Sequence, residues 1–141
     1  MTASIHASAV LVGTKAVLIR GPSGAGKSRL AWQLLNAGLP FARLIGDDRM
    51  HVEAHDGRLL VRPSATLGGL IEIRGLGVRR LAYEAVAVVG LVVDLAAEDA
   101  ERLPDARGAA IDGVTLPRLA VKTGADALSM VQAFLGTLPG D

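Results

Sequence analysis

A glycine-rich segment at residues 21–28, with the sequence GPSGAGKS, constrains the fold of this chain more than any other feature. The segment matches the pattern G-x-x-x-x-G-K-[ST] and lies between an apolar run at 16–19 and a helical pattern over 29–35. In such a strand–loop–helix unit, backbone N–H groups and the positive end of the helix dipole converge on a phosphate. We therefore predict a nucleoside triphosphate site formed by Gly21, Pro22, Ser23, Gly24, Ala25, Gly26, Lys27 and Ser28. Lys27 is expected to reach the β- and γ-phosphates, and the Ser28 hydroxyl is expected to bind Mg²⁺.

The composition favours an α/β fold. Half of the 141 residues are hydrophobic but only 3% are aromatic, so Val, Leu, Ile and Ala must form most of the core. This suits a mixed β-sheet flanked by helices, in which an N-terminal hairpin of strands 4–12 and 15–20 leads into the phosphate loop. Further strands are predicted at 41–45, 50–54, 58–61, 85–93 and 109–116, and helices at 27–37, 97–103 and 126–135. We expect one domain over residues 1–141, because no linker or internal repeat interrupts the pattern.

Charge and residue usage exclude several classes of function. A net charge of +1 provides no long-range attraction to nucleic acid or to an anionic membrane. The absence of cysteine excludes disulfides and thiolate metal sites. No signal peptide is evident, and the apolar run 85–93 is too short to span a bilayer. We therefore expect a cytoplasmic protein that binds neither nucleic acid nor membrane.

Several charged residues are candidates for metal binding and proton transfer. A phosphate loop needs a carboxylate near its metal, usually at the end of a neighbouring apolar strand, and both the Asp47-Asp48 pair and Asp94 follow such runs. The pair is favoured, because one carboxylate can hold the metal while the other accepts a proton. Which of the two is the base stays open. Glu72 and Arg74 would share one face of an extended segment, either as a solvated surface or as a metal ligand beside a phosphate contact.

The segment 70–77, with the sequence LIEIRGLG, is far more specific than the phosphate loop. Together with Ile5-His6, the phosphate loop and the Asp47-Asp48 pair, it resembles the sequence pattern of the bacterial HPr kinase/phosphorylases. The resemblance is strongest over 5–78 and corresponds to the C-terminal P-loop kinase domain, in a short, single-domain form. It implies an ATP- and Mg²⁺-dependent serine protein kinase that phosphorylates the phosphocarrier protein HPr, with a phosphorolytic reverse reaction, and so regulates carbohydrate metabolism. It also implies a homo-oligomer, a hexamer in the family.

The same resemblance implies roles for individual residues. The catalytic residues would be Asp48, His6, Lys27 and Arg102, and the metal would be held by Ser28, Glu72 and Asp47. Asp48 would take the proton from the HPr serine, and His6 would lie beside it. The chain departs from the family at Arg29, where a glutamate is usual, and the spacing from Lys27 to the aspartate pair is longer by a few residues. By comparison with the family pattern, we expect the later basic loop and the C-terminal helices, which help to grip HPr, to be shortened or missing.

Two other functions are compatible with a phosphate loop. A small-molecule kinase of the nucleotide type usually carries a mobile lid with several arginines, whereas Gly75 is followed here by Arg79-Arg80 but by no long, glycine-flanked, arginine-rich insertion. A nucleotide-binding regulator without catalysis needs no base, so the acidic candidates argue against it. The serine protein kinase is therefore the leading interpretation, and the small-molecule kinase is the alternative.

Overall fold

A computed structural model describes residues 3–101 and 108–140 of the chain. In chain order, its elements are β1 Ala3–Val12, β2 Lys15–Arg20, α1 Lys27–Leu35, β3 Ala42–Gly46, β4 Arg49–His55, β5 Arg58–Pro63, β6 Leu70–Ile73, β7 Gly77–Arg80, β8 Ala87–Leu95, β9 Ala109–Ile111, β10 Val114–Leu116, β11 Arg118–Val121 and α2 Ala127–Gly136. In the part of the chain that the structure describes, no helix is both long enough and apolar enough to cross a membrane.

A mixed seven-stranded sheet forms the centre of the fold. Its strands are ordered β11-β8-β2-β1-β4-β5, and β3 pairs with β1. The pairs β2–β8 and β8–β11 are parallel, whereas β1 runs antiparallel to β2, β3 and β4. β1 and β2 are joined by Gly13-Thr14, with Val12 opposite Lys15. The phosphate-loop segment therefore leaves β2 at the edge of the sheet where the parallel strand β8 also ends.

The long strand β1 connects two parts of this sheet. Its first residues pair with β4, with His6 opposite Arg49, and its last residues pair with β2 and β3. β5 pairs in addition with β8, so β8, β2, β1, β4 and β5 form a closed ring of paired strands. Because β1 takes part in both regions, residues distant in the sequence meet where it passes the end of β3.

Alternation along the strands divides the core into two layers. In β2, Ala16 and Leu18 are buried inside the ring of strands, while Val17 and Ile19 are buried on the opposite face. That opposite face packs against Leu30, Ala31 and Leu34 of α1 and Val131 of α2. Both helices therefore cover the same face of the sheet, which places the N-terminus of α1 directly at the phosphate-loop segment.

The hairpin predicted around Asp56-Gly57 is confirmed, as is the last helix, which begins after its N-cap Asp126. The single strand predicted at 109–116 is wrong: Asp112-Gly113 makes a tight turn between β9 and β10, and both residues have positive φ. The helix predicted at 97–103 is also wrong over 97–101, which form turns and irregular backbone, whereas 102–103 lie outside the described residues. The strand β11 was not predicted.

Candidate active site

The segment 21–28 forms a compact loop between β2 and α1. Gly26 is the N-cap of α1 and has φ 98°, a left-handed conformation that glycine adopts without steric cost. A side chain at Gly21 would meet Leu95 at the end of β8, with its Cβ 3.1 Å from the Leu95 Cβ, so the loop packs closely on the neighbouring strand. The helix begins with Leu30 N–H donating to the Gly26 carbonyl at 2.9 Å. Because the first N–H groups of a helix have no partner within the helix, those of α1 are available to a phosphate at this loop.

The side chain of Lys27 folds back over this loop. Its ammonium donates to the carbonyl oxygens of Gly21 at 2.8 Å and of Pro22 at 3.1 Å. This places a positive charge at the mouth of the loop, beside the N-terminus of α1. A phosphate group bound in the loop would meet both the ammonium and the helix dipole.

Asp47 is a buried carboxylate that receives three donors. It follows β3 and is only 4% exposed. The Ser28 hydroxyl donates to it at 2.8 Å, the Ser8 hydroxyl at 2.5 Å and the Glu72 backbone N–H at 3.1 Å. These bonds compensate for burial of the charge. They also join the start of α1, β1 and β6 at one point.

The Ser28–Asp47 pair fits a magnesium site. Mg²⁺ prefers hydroxyl, carboxylate and phosphate oxygens, and it usually takes only one or two protein ligands beside the nucleotide. Within the described residues, no group of three or more acidic or histidine side chains could hold a metal. A metal here would therefore depend on Ser28, Asp47 and the phosphates themselves. The side chain of Glu72 is exposed on β6, and its contact with Asp47 is through the backbone.

Asp48 lies in a strained turn that directs its side chain away from that of Asp47. Arg49 N–H donates to the Asp47 carbonyl at 2.8 Å, and Asp48 between them has φ 72°. A bond from residue i+2 back to residue i around a left-handed residue is a rare and strained γ-turn. It sends Asp47 into the core and leaves Asp48 with 72% of its side chain exposed. The two adjacent aspartates therefore have separate environments.

His6 lies next to Asp48, as the sequence resemblance implied. Its Nδ1 is 3.9 Å from the Asp48 carboxylate, and its Nε2 is 2.8 Å from the Arg49 guanidinium. Arg49 was not predicted as a site residue, because only the β1–β4 register brings it opposite His6. Ser8 was also missed, although a serine within the apolar stretch 7–10 is a signal of a buried polar group.

The remaining candidates lie away from this arrangement or outside the described residues. Ile71 is buried and Glu72 exposed, as expected for β6, but the strand ends at Ile73. Arg74 therefore lies in the turn to β7, and the prediction that it shares a strand face with Glu72 is wrong. Arg102 lies outside the described residues.

Asp94, the alternative metal carboxylate, is held by two arginines. Arg20, the last residue of β2, donates to both of its oxygens at 2.7 and 2.8 Å, and Arg118 of β11 donates to it as well. Arg118 also makes two bonds to Asp99. Burial raises the pKa of Asp94, but the hydrogen bonds and the positive charges of Arg20 and Arg118 together outweigh it, and the net result is a lowered pKa. The pKa of Arg118 is raised by its bonds to Asp99 and then to Asp94. We call these four residues the Asp94 network.

Comparison with known proteins identifies the family. Residues 1–133 match the model of the HPr serine kinase C-terminal domain. HPr kinase/phosphorylases of Enterococcus faecalis and Streptococcus thermophilus are 37% and 35% identical over 92% of this chain. The chain spans about half the length of these relatives, 45% and 46% respectively.

The fold has a counterpart among solved structures. The HPr(Ser) kinase/phosphatase from Coxiella burnetii superimposes with a TM-score of 0.78 at 20% sequence identity, over 95% of this chain and 94% of that one. This likeness supports the α/β architecture with its mixed sheet and few helices. Because the family model matches nearly the whole length of the chain, the chain belongs to the HPr serine kinase C-terminal domain family.

Proposed function

We propose that this chain transfers the γ-phosphoryl group of ATP to a serine hydroxyl of an HPr-like protein. The observation that carries the proposal is the γ-turn at Asp48, which leaves one carboxylate exposed beside another that is buried against Ser28. The named relatives are HPr kinase/phosphorylases, which supports HPr as the acceptor. A homo-oligomer stays a prediction of the family resemblance.

The residues of the site have separate roles in this reaction. The N–H groups of the loop and Lys27 bind the β- and γ-phosphates. Ser28 and Asp47 would hold Mg²⁺, which would neutralise phosphate charge. Asp48 accepts the proton of the serine hydroxyl while the serine oxygen forms its bond to the γ-phosphorus and the bond to the β-phosphate oxygen breaks, releasing ADP.

Phosphorolytic removal of the phosphate from phosphoserine uses the same groups. Inorganic phosphate attacks phosphoserine, the bond between the serine oxygen and phosphorus breaks, and Asp48 returns the proton to the serine oxygen. The product is pyrophosphate, because the phosphoryl group is transferred to phosphate rather than to water. This direction needs only that the phosphate lies in the loop where the β-phosphate of ATP would bind.

Two asparagine variants test the proposal. Asp48→Asn keeps the shape of the side chain and tolerates the left-handed backbone, but it accepts a proton poorly. We expect Mg²⁺–ATP affinity to stay near wild type while HPr phosphorylation falls by about 10²–10⁴. Asp47→Asn should lose more metal affinity and less turnover, because Asp47 contacts Ser28.

Labelled ATP with HPr is the assay, and nucleoside monophosphates are the alternative acceptors. An HPr variant with alanine in place of the acceptor serine is the control for specific transfer. Wild-type turnover in Asp48→Asn would remove Asp48 as the base. Labelling of a nucleoside monophosphate but not of HPr would replace the proposal with the small-molecule kinase.

A further inference from the structure

His6 lies between two oppositely charged side chains. Its Nε2 is 2.8 Å from Nη2 of Arg49, and its Nδ1 is 3.9 Å from Oδ1 of Asp48. The other terminal nitrogen of Arg49, Nη1, donates to Ser4 Oγ at 3.0 Å. Because Ser4 and His6 are two apart on β1, Arg49 contacts this strand at two points on one face. The guanidinium is therefore fixed relative to the imidazole.

The contact with Arg49 determines which ring nitrogen carries the proton. A guanidinium nitrogen can only donate a hydrogen bond. Nε2 of His6 must then accept, so the proton of the neutral ring lies on Nδ1. This nitrogen faces the Asp48 carboxylate. In the other tautomer, an N–H would face the cation and a lone pair would face the anion, and both contacts would be repulsive.

We propose that Arg49 fixes His6 in its Nδ1–H tautomer and that His6 thereby orients the Asp48 carboxylate as the base. Both are positioning residues that act through Asp48. The separation of 3.9 Å is about 1 Å longer than a hydrogen bond, and rotation of the exposed Asp48 side chain can close it. In this arrangement the neutral ring has no lone pair available for a second proton, so the serine proton goes to Asp48. The role of His6 in catalysis rests on the proposed function, whereas its tautomer does not.

Nitrogen-15 NMR of the histidine side chains measures the tautomer without any assay of activity. The full chain is labelled and recorded at pH 8, above the range in which a free histidine titrates. Signals of His6 are identified by their loss in His6→Gln, and we expect the Nδ1–H pattern. His55 is an internal control, because its Nε2 faces Asp56 at 3.4 Å and should carry the proton. Arg49→Met, which keeps length without a donor, should move His6 toward Nε2–H. An Nε2–H pattern in the wild type, or no change in Arg49→Met, would overturn the proposal.

Matched variants test the consequence for turnover. His6→Asn places a side-chain N–H near the position of Nδ1, whereas His6→Gln places it near Nε2. We expect His6→Gln to reduce HPr phosphorylation about 10-fold more than His6→Asn, the size of one hydrogen bond to a charged group. Arg49→Met should reduce HPr phosphorylation as much as His6→Gln does. A double variant that combines Arg49→Met with His6→Gln should be no slower than either single variant. The KM for ATP should not change, because neither side chain contacts the phosphate loop.

The two proposals fail in different ways. Equal losses in His6→Asn and His6→Gln, or losses that multiply in the double variant, would show that Arg49 and His6 do not act as one unit. If the wild type transfers no phosphate to HPr, the proposed function fails and the catalytic role of this pair fails with it. The NMR result on Arg49 and His6 would still decide the tautomer.

Discussion

Replacement of Asp94 by asparagine tests how much the Asp94 network stabilises the sheet behind the phosphate loop. Asp94 has 15% of its side chain exposed and accepts hydrogen bonds from Arg20 and Arg118. Removal of one partner from a buried ion pair costs about 3–5 kcal/mol, because the remaining charge is left uncompensated. Since the amide keeps one acceptor oxygen, we expect a loss of about 3 kcal/mol in the free energy of unfolding. That corresponds to a decrease in Tm of about 6–12 °C for a chain of this size.

Urea denaturation at several pH values is the assay. The folded-state pKa of Asp94 is lowered, so its stabilising effect is present above the pKa of an unfolded aspartate, about 3.9, and is lost as the pH falls through the folded value. The difference between wild type and Asp94→Asn should therefore be full at pH 7 and should shrink below about pH 4.

A matched control lies in the same network. Asp99→Asn removes the other carboxylate that contacts Arg118, but Asp99 is 67% exposed. We expect a loss below about 1 kcal/mol, as for ion pairs in contact with solvent. Equal effects of the two variants at pH 7, or a loss in Asp94→Asn that does not change toward acid pH, would refute the reasoning.

Substitutions at three residues test the site itself. Lys27→Ala should weaken ATP binding and abolish phosphoryl transfer, because it removes the charge at the mouth of the loop. A calorimetric titration that gives wild-type affinity for ATP would contradict this. Glu72→Gln should raise the Mg²⁺ concentration needed for half-maximal activity, because the family resemblance makes its carboxylate a metal ligand beside Ser28 and Asp47. An unchanged metal titration would make Glu72 a surface residue. Asp48→Gly should be more stable than Asp48→Ala by about 1 kcal/mol in urea denaturation, because only glycine adopts φ 72° without strain. Equal stability of the two variants would show that the γ-turn is not strained.

Features encoded in neighbouring residues could be predicted from the sequence. The strand–loop–helix order around residues 21–28, the turn at Asp56-Gly57 and the start of α2 near Asp126 each depend on a few consecutive residues, and each lies where it was expected. The Asp112-Gly113 turn was missed although it carries the same type of signal, because the flanking residues read as one continuous apolar run.

The Asp94 network could not be predicted, because it depends on pairing between distant strands. By pattern alone Asp94 follows the longest apolar run and resembles a metal carboxylate at a strand end. The parallel register of β2 and β8 places Arg20 directly opposite it, and β11 adds Arg118 from the other side. Neither arginine is close to Asp94 in the sequence, since they are 74 and 24 positions away. A carboxylate held by two guanidiniums stabilises the strands and is not directed at a metal.

The distinction between Asp47 and Asp48 has the same physical origin. The two residues are chemically identical and adjacent, so no local pattern separates a metal-side carboxylate from a base. Their environments differ because Ser8, 39 positions before Asp47, and the backbone of Glu72, 25 positions after it, both donate to Asp47. Those donors bury one carboxylate, and the left-handed backbone at Asp48 then turns the other outward. The strain at Asp48 is maintained only because the bonds to Asp47 stabilise the turn by more than it costs. We infer that the buried aspartate determines where the exposed one can act.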